Sequence, residues 1–158
     1  IINSFKQIKN EYKNFSLVLV GRNYTQPSIN IEGMMKEMIE EKRALYIPWV
    51  EDEDLPALYQ AAYSYICTST VDGEALMLKE AMQSGTPVIT SPLLKEAIGG
   101  NGLIINDPES VLNTSKVLRI AMSNELVRKK RIKDGIKWTR DITWERVADN
   151  ILTFLESR

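Results

Sequence analysis

The chain has 158 residues, of which 44% are hydrophobic and 26% charged; this suffices for one globular domain with a core and is too little for two. Its 20 basic and 21 acidic residues leave a net charge of -1, so the composition offers no electrostatic footprint for nucleic acid. The lack of histidine excludes histidine catalysis and histidine metal ligation within this chain, and the single cysteine, Cys67, excludes a disulfide framework or a zinc cluster.

Two further features concern location and completeness. No apolar run approaches the roughly 18 residues of a membrane span and no signal-peptide pattern is present, so we expect a cytoplasmic protein. The chain begins with Ile1 and Ile2 inside a helical pattern, Ile2, Phe5, Ile8 and Tyr12, that has no cap before it; this predicts a fragment of a longer protein.

The predicted elements alternate between short apolar strands and helices. The five strands are expected at residues 16–21, 45–50, 63–69, 87–91 and 102–107. The first is expected to be buried on both faces, and the second to be irregular at Pro48, because proline cannot donate to a sheet. A helix precedes the first strand, helices separate the strands, and three more follow the last one. This order predicts an α/β fold with a doubly wound, parallel, Rossmann-like sheet.

Ligands of such sheets bind beyond the carboxyl ends of the strands. The loops after Gly21, Val50, Ser69 and Ser91 are therefore expected on one rim of the sheet. Function is to be sought at that rim.

The turn "TVDG", residues 70–73, leads from the third strand into a helix. The free N–H groups of residues 74–77, with the helix dipole, predict an anion site suited to the phosphates of a nucleotide. Gly73 and Ala75 are small enough to let a ligand approach the backbone. The structural alternative is that Asp72 caps the helix or forms an Asx turn.

Glu80 is a carboxylate on a helix that is otherwise apolar nearly all round, and such a group needs partners. Two ligand hydroxyls would serve, since each bond to a charged acceptor contributes about 1.5–3 kcal/mol. The alternatives are a salt bridge or a narrow solvated stripe shared with Lys79. At 1.5 Å per residue Glu80 lies about 9 Å along the helix, which suits a diphosphate between a sugar at Asp72 and a ribose at Glu80.

The segment 50–91 resembles the donor-binding half of GT-B glycosyltransferases, most closely the retaining family of bacterial mannosyl- and glucosyltransferases of lipopolysaccharide and glycolipid synthesis. That family's signature is an acidic residue, seven residues and a glutamate, then Ala-Met and Gly-Thr-Pro-Val. Asp72, Glu80, "EAM" and "GTPV" match it in register. The resemblance extends from about Phe5 to Glu145, nearly the whole chain.

The resemblance implies that residues 1–158 are a single C-terminal donor-binding domain of such an enzyme. The enzyme would transfer a hexose from a UDP- or GDP-sugar to a glycan or lipid acceptor, retaining the anomeric configuration and using no bound metal or other cofactor. The acceptor domain and the first strand of the donor domain would lie upstream of Ile1. Because that strand is central in the fold, we expect this chain to have difficulty forming a continuous sheet and to be inactive alone.

Residue roles follow from the same resemblance. Glu80 would hold the ribose hydroxyls, and the backbone amides around Leu76 and Met77 the distal phosphate. Asp72 would be the catalytic residue, and Gly73, Glu74 and Ala75 would face the transferred sugar. The loop of Pro48, Trp49 and Val50 would meet the nucleobase. Arg22 would contact a phosphate. The alternatives are core or lid packing for Trp49 and a plain surface position for Arg22.

Three departures from the family pattern affect these roles. Asp72 stands where the family usually has glutamate, and its shorter side chain changes its reach toward the sugar. Glu74 and Ala75 stand where Phe-Gly is common, so sugar specificity can differ. The family's diphosphate-binding Arg and Lys, on the strand and loop before the first helix here, would also lie upstream of Ile1.

Other functions remain open at this point. The chain could be a non-catalytic nucleotide-sugar-binding or interaction domain, or part of a GT-B relative such as a nucleotide-sugar epimerase or a glucan synthase. A nicotinamide dehydrogenase is disfavoured because no strand is followed by G-x-G-x-x-G. The basic run at 127–133 is either a peripheral contact with the inner face of the membrane, as in enzymes with lipid acceptors, or a solvated helix face.

Overall fold

The computed structural model describes residues 1–22, 29–69 and 75–157. The helices are α1 (Ile2–Ile8), α2 (Ile31–Glu40), α3 (Leu55–Ala61), α4 (Leu76–Gln83), α5 (Val111–Ser123), α6 (Glu125–Thr139) and α7 (Trp144–Glu156). The strands are β1 (Leu17–Val20), β2 (Ala44–Ile47), β3 (Tyr65–Cys67), β4 (Val88–Thr90) and β5 (Leu103–Ile104), and two 3₁₀ turns, Pro92–Leu94 and Glu96–Ile98, follow β4.

All strand pairs in the described residues are parallel, which confirms the predicted α/β class. The strands fall into two sheets, β1-β2 and β3-β4-β5. In the first, Leu17 lies opposite Ala44, and in the second Tyr65 lies opposite Val88. The described strands therefore form two separate hydrogen-bonded sheets.

The pair of helices α1 and α5 packs across both sheets. Phe5 and Leu118 are buried in a core that also contains Leu17 of β1 and Ile89 of β4. The hydroxyl of Ser115 donates to the backbone carbonyl of Ser4, at 3.1 Å. The two sheets are consequently joined by helix packing and a shared core.

Arg43, just before β2, fixes the chain between α1 and β1. Its guanidinium donates to the backbone carbonyls of Lys9 at 2.9 Å, and of Tyr12 and Phe15 at 2.8 Å each. Carbonyls beyond the end of a helix lack intrahelical donors, so a guanidinium with several N–H groups suits this place. The helical pattern read through Tyr12 thus ends at Ile8, and the following residues are held from another part of the chain.

A second core cluster places α4 against its neighbours. It contains Tyr59 of α3, Leu78 and Met82 of α4, and Val88 of β4. Gly135 of α6 faces Met82, and a Cβ added at Gly135 would make an ordinary contact, 3.4 Å from the terminal carbon of Met82. Helix α4 is therefore packed on one side and held in a fixed position over β3 and β4.

Several local predictions are corrected by the structure. β1 is buried on one face only, since Val18 is 48% and Val20 44% exposed. β2 ends at Ile47, so Pro48 follows the strand instead of interrupting it, in keeping with its missing N–H. The single cysteine, Cys67, lies at the end of β3 and is partly exposed.

Candidate functional site

Helix α4 has one buried and one exposed face. Leu76 is 51% and Met77 50% exposed, and Glu80 is exposed on the same side, because residues three and four apart lie together on a helix. Leu78 and Met82 are buried on the other side. The expectation that Glu80 sits on a largely buried helix is therefore wrong: α4 covers the sheet from one side only, and Glu80 belongs to the side left open.

The start of α4 presents backbone N–H groups. Ala75, its N-cap residue, is buried and has a left-handed backbone with φ 51° and ψ 39°. The amides of Leu76 and Met77 lie in the first turn, where a helix supplies no acceptor of its own and its dipole favours an anion. Three predicted site residues, Asp72, Gly73 and Glu74, lie outside the described residues.

Glu80 has a buried partner that the sequence analysis did not single out. The phenol of Tyr59, a residue of α3 that is 6% exposed, donates to Oε2 of Glu80 at 3.3 Å. Burial, and then the neighbouring carboxylate, raise the pKa of Tyr59 to about 12, so the phenol keeps its proton at neutral pH. The sequence indicates only that Tyr59, four residues from Leu55, lies on the apolar face of the predicted helix, and does not indicate a partner for its hydroxyl.

Hydroxyl groups join the ends of β3 and β4. Thr90 donates to the carbonyl of Cys67 at 2.9 Å, and Ser91 donates to the carbonyl of Ser69 at 2.7 Å. Both hydroxyl residues are buried. The loops after these strands therefore start side by side, on the rim where the chain goes on toward α4.

The predicted residues after β1 and β2 are brought together. The guanidinium carbon of Arg22 lies 5.3 Å from the centre of the Trp49 ring. Trp49 is 57% exposed, and its indole N–H donates to Glu51 at 2.9 Å, so it is not a core residue. Pro48 beside it is exposed and Val50 partly buried.

An open cavity of about 340 Å³ lies where the strand ends of both sheets meet. Leu19 of β1 contributes to its wall, together with Thr68 just after β3 and Pro108 after β5. The first residues of α1 complete that side. The cavity thus lies between the two sheets at the start of α1, and the described candidates Arg22, Trp49 and Glu80 do not line it.

The remaining predictions concern metals and membranes. In residues 1–22, 29–69 and 75–157, no three carboxylate or thiol side chains lie close enough together to hold a metal ion. None of the described helices combines the length and apolarity that a membrane span needs.

In the basic run 127–133, Arg128 stacks over the Tyr63 ring at 4.4 Å and Arg131 donates to the carbonyl of Gly100 at 3.1 Å, so both help to hold α6 in place.

Comparison with known proteins adds relatives and a fold. Over 102 residues the chain is 33% identical to O-antigen chain mannosyltransferase B of Escherichia coli, covering 63% of this chain and 26% of that protein. Over 150 residues it is 25% identical to mannosylfructose-phosphate synthase of Agrobacterium fabrum (strain C58 / ATCC 33970), covering 90% of this chain and 33% of that protein.

Among solved structures, an α,α-trehalose-phosphate synthase (UDP-forming) from Burkholderia xenovorans is similar to 98% of the chain, at a TM-score of 0.80 and 19% identity. The chain covers 39% of that protein, and this likeness shows the fold, which is that of GT-B glycosyltransferases. The chain thus spans well under half the length of each of these relatives. The family described as Glycosyl transferases group 1 matches residues 1–120, and the chain belongs to that family.

Proposed function

We propose that this domain binds the nucleotide-sugar donor of a retaining glycosyltransferase, which transfers a hexose from a UDP- or GDP-sugar to a glycan or lipid acceptor. The observation that carries the proposal is the exposed face of α4, where Leu76, Met77 and Glu80 lie together beside the rim of the sheet. Membership of the family supports the reaction class. A UDP-forming relative in structure and a mannosyltransferase relative in sequence support a nucleotide-sugar donor.

The phosphates are proposed to bind at the start of α4. The amides of Leu76 and Met77 would receive the distal phosphate, and the helix dipole favours the negative charge there. Arg22, stacked on Trp49, is the proposed cation on the other side. During transfer, charge develops on the departing diphosphate, and fixed donors aimed at that charge are the main catalytic contribution of such a site, which we propose to work without a metal.

The nucleoside is proposed to lie between Glu80 and Trp49. A carboxylate accepts two hydroxyls of a ribose with both oxygens, and an exposed indole offers a face for a base. Pro48 and Val50 flank the indole and would contact the base through their backbone. The structural alternative for Glu80 is a solvated carboxylate; in the proposed site, the phenol that donates to that carboxylate also takes part in the site.

We propose that Asp72 faces the transferred sugar, on the basis of its sequence spacing from Glu80, together with the backbone from Gly73 to Ala75. We also propose a separate acceptor-binding domain in the same enzyme and a further parallel strand pairing with β1; the divided sheet supports the latter. The enzyme is proposed to work in the cytoplasm, and with a lipid acceptor at the inner face of the membrane.

Calorimetric titration of the full chain with UDP, GDP and ADP tests the proposal. We expect one of the three to bind, and Glu80→Gln to weaken it roughly tenfold or more, since losing bonds to a charged acceptor costs about 1.5–3 kcal/mol each. Glu40→Gln, at an exposed glutamate of α2, is the matched control and should leave affinity unchanged. The proposal would be overturned by the absence of binding to all three nucleotides, or by equal affinities in the two variants.

A further inference from the structure

We infer that Tyr59 is a positioning residue for the donor site: its phenol sets the direction of the Glu80 carboxylate so that it receives both hydroxyls of a ribose. The inference rests on the proposed function of Glu80 and adds a residue from a different helix. Tyr59 is buried and is not expected to touch the donor itself.

The phenol is held in place by its surroundings. The hydroxyl of Thr86 donates to the backbone carbonyl of Tyr59. The ring of Tyr59 meets the ring of Tyr65 edge-on, with centroids 5.4 Å apart and planes at 85°. The phenol of Tyr65 in turn lies 3.6 Å from the sulfur of Met77, a residue on the exposed face of α4. A ring packed in this way has little freedom to turn, so its hydroxyl is a fixed donor.

Glu80, in contrast, is exposed and has a flexible side chain. A long side chain loses conformational entropy when it is ordered by a ligand. A hydrogen bond from a fixed donor already restricts the side chain in the free protein, so less entropy is lost on binding. At 3.3 Å the bond is longer than usual for a hydroxyl and a carboxylate, so the restraint on the carboxylate is moderate.

The count of acceptor sites on Glu80 agrees with this role. A carboxylate has two oxygens and about four lone-pair directions. The Tyr59 phenol uses one of them, on Oε2, which leaves Oε1 and the outer side of Oε2 for ligand hydroxyls. Because burial and the carboxylate both favour the protonated phenol, Tyr59 donates throughout the neutral range.

The test compares a nucleotide that carries both ribose hydroxyls with one that lacks them. The full chain, Tyr59→Phe, Glu80→Gln and the double variant are titrated with whichever of UDP, GDP and ADP binds, and with its 2′,3′-dideoxy counterpart. Tyr12→Phe is the matched control, since its phenol donates to the carbonyl of Arg119, on α5. Unfolding midpoints of all variants show that each is folded at the temperature of titration.

We expect Tyr59→Phe to weaken the ribonucleotide about threefold to tenfold, because the side chain of Glu80 would then have to be ordered by the ligand alone. The dideoxy nucleotide should not be affected, and the loss should vanish when Glu80 is already glutamine. A purely structural role would weaken both nucleotides equally or persist in the Glu80→Gln background, and either result overturns the inference.

The outcomes also separate the inference from the proposed function. If the unsubstituted chain binds the two nucleotides equally, Glu80 does not hold the ribose and both ideas fall. If the unsubstituted chain prefers the ribonucleotide and Tyr59→Phe keeps that preference in full, the proposed function stands and the role of Tyr59 is wrong.

Discussion

Arg22 and Trp49 face each other across the ends of two neighbouring parallel strands, with the guanidinium carbon 5.3 Å from the centre of the indole ring. The backbone N–H of Gly21 bonds to the carbonyl of Ile47 at 3.0 Å, so the pairing of β1 and β2 continues up to these two residues. A cation over an exposed indole contributes about 0.5–1 kcal/mol. The pair brings a positive charge and a flat apolar face to one place on the rim.

Trp49→Ala tests the role of that face. We expect the variant to bind the nucleoside diphosphate roughly tenfold or more weakly, because stacking of a base on an aromatic side chain contributes about 1–3 kcal/mol. Trp144→Ala, on α7, removes an indole that is 78% exposed and serves as the control. Calorimetric titration measures the affinity of both variants for the nucleoside diphosphate. If the two variants lose affinity equally, or if neither loses any, the base does not lie on Trp49.

Tyr59 predicts a stability change at high pH. Its pKa is about 12 in the folded chain against 10.0 for an ordinary tyrosine, so the unfolded chain loses this proton first. The protonated phenol of Tyr59 therefore contributes its full share to the free energy of unfolding below pH 10, and this contribution is lost as the pH rises from 10 to 12. Urea unfolding at pH 9 and pH 11.5 should show a larger fall in the free energy of unfolding for the unsubstituted chain than for Tyr59→Phe. If the free energy of unfolding falls equally in the two proteins, burial and the Glu80 carboxylate do not raise the pKa of Tyr59.

Two adjacent glycines form a matched pair for a test of packing. Gly99 and Gly100 have φ of 55° and 70°. Alanine at either position would have to adopt this left-handed conformation, which costs about 1–2 kcal/mol. A Cβ at Gly99 would lie 2.3 Å from the indole nitrogen of Trp138, whereas at Gly100 it would meet nothing within 4 Å. Gly99→Ala should therefore lose about 1–3 kcal/mol more than Gly100→Ala in urea unfolding. Equal losses would mean that Trp138 moves aside freely.

The alternation of strands and helices was enough to predict the parallel α/β fold, because the length and apolar period of a segment distinguish a short strand from a helix. What it missed was the extent of burial at β1: a run such as "LVLV" looks the same whether a strand has neighbours on both faces or on one. The exposure of Val18 and Val20 depends on elements packed from distant parts of the chain. The early end of α1 likewise depends on Arg43, some 30 residues away.

For the site, the sequence placed Glu80, Leu76 and Met77 on one helix, and helical spacing alone put them on one face. It could not show which face is open, since Leu and Met are usually buried, and here they are exposed beside the carboxylate. Arg22 and Trp49 were separate candidates, and only the pairing of β1 with β2 brings them together. Tyr59 was missed because a tyrosine on an apolar face gives no sign of where its hydroxyl points.

The division of the sheet has a consequence for motion. Arg22 and Trp49 follow the strands of one sheet, and Glu80 lies on the exposed face of α4, the helix that packs against the other sheet. The helix pair α1 and α5 connects the two sheets. Regions joined by side-chain packing open more readily than regions joined by a continuous ladder, and they do so as separate cooperative units. A nucleotide that contacts both Trp49 and Glu80 would link the two sheets. Its binding should therefore slow amide hydrogen exchange in both sheets together.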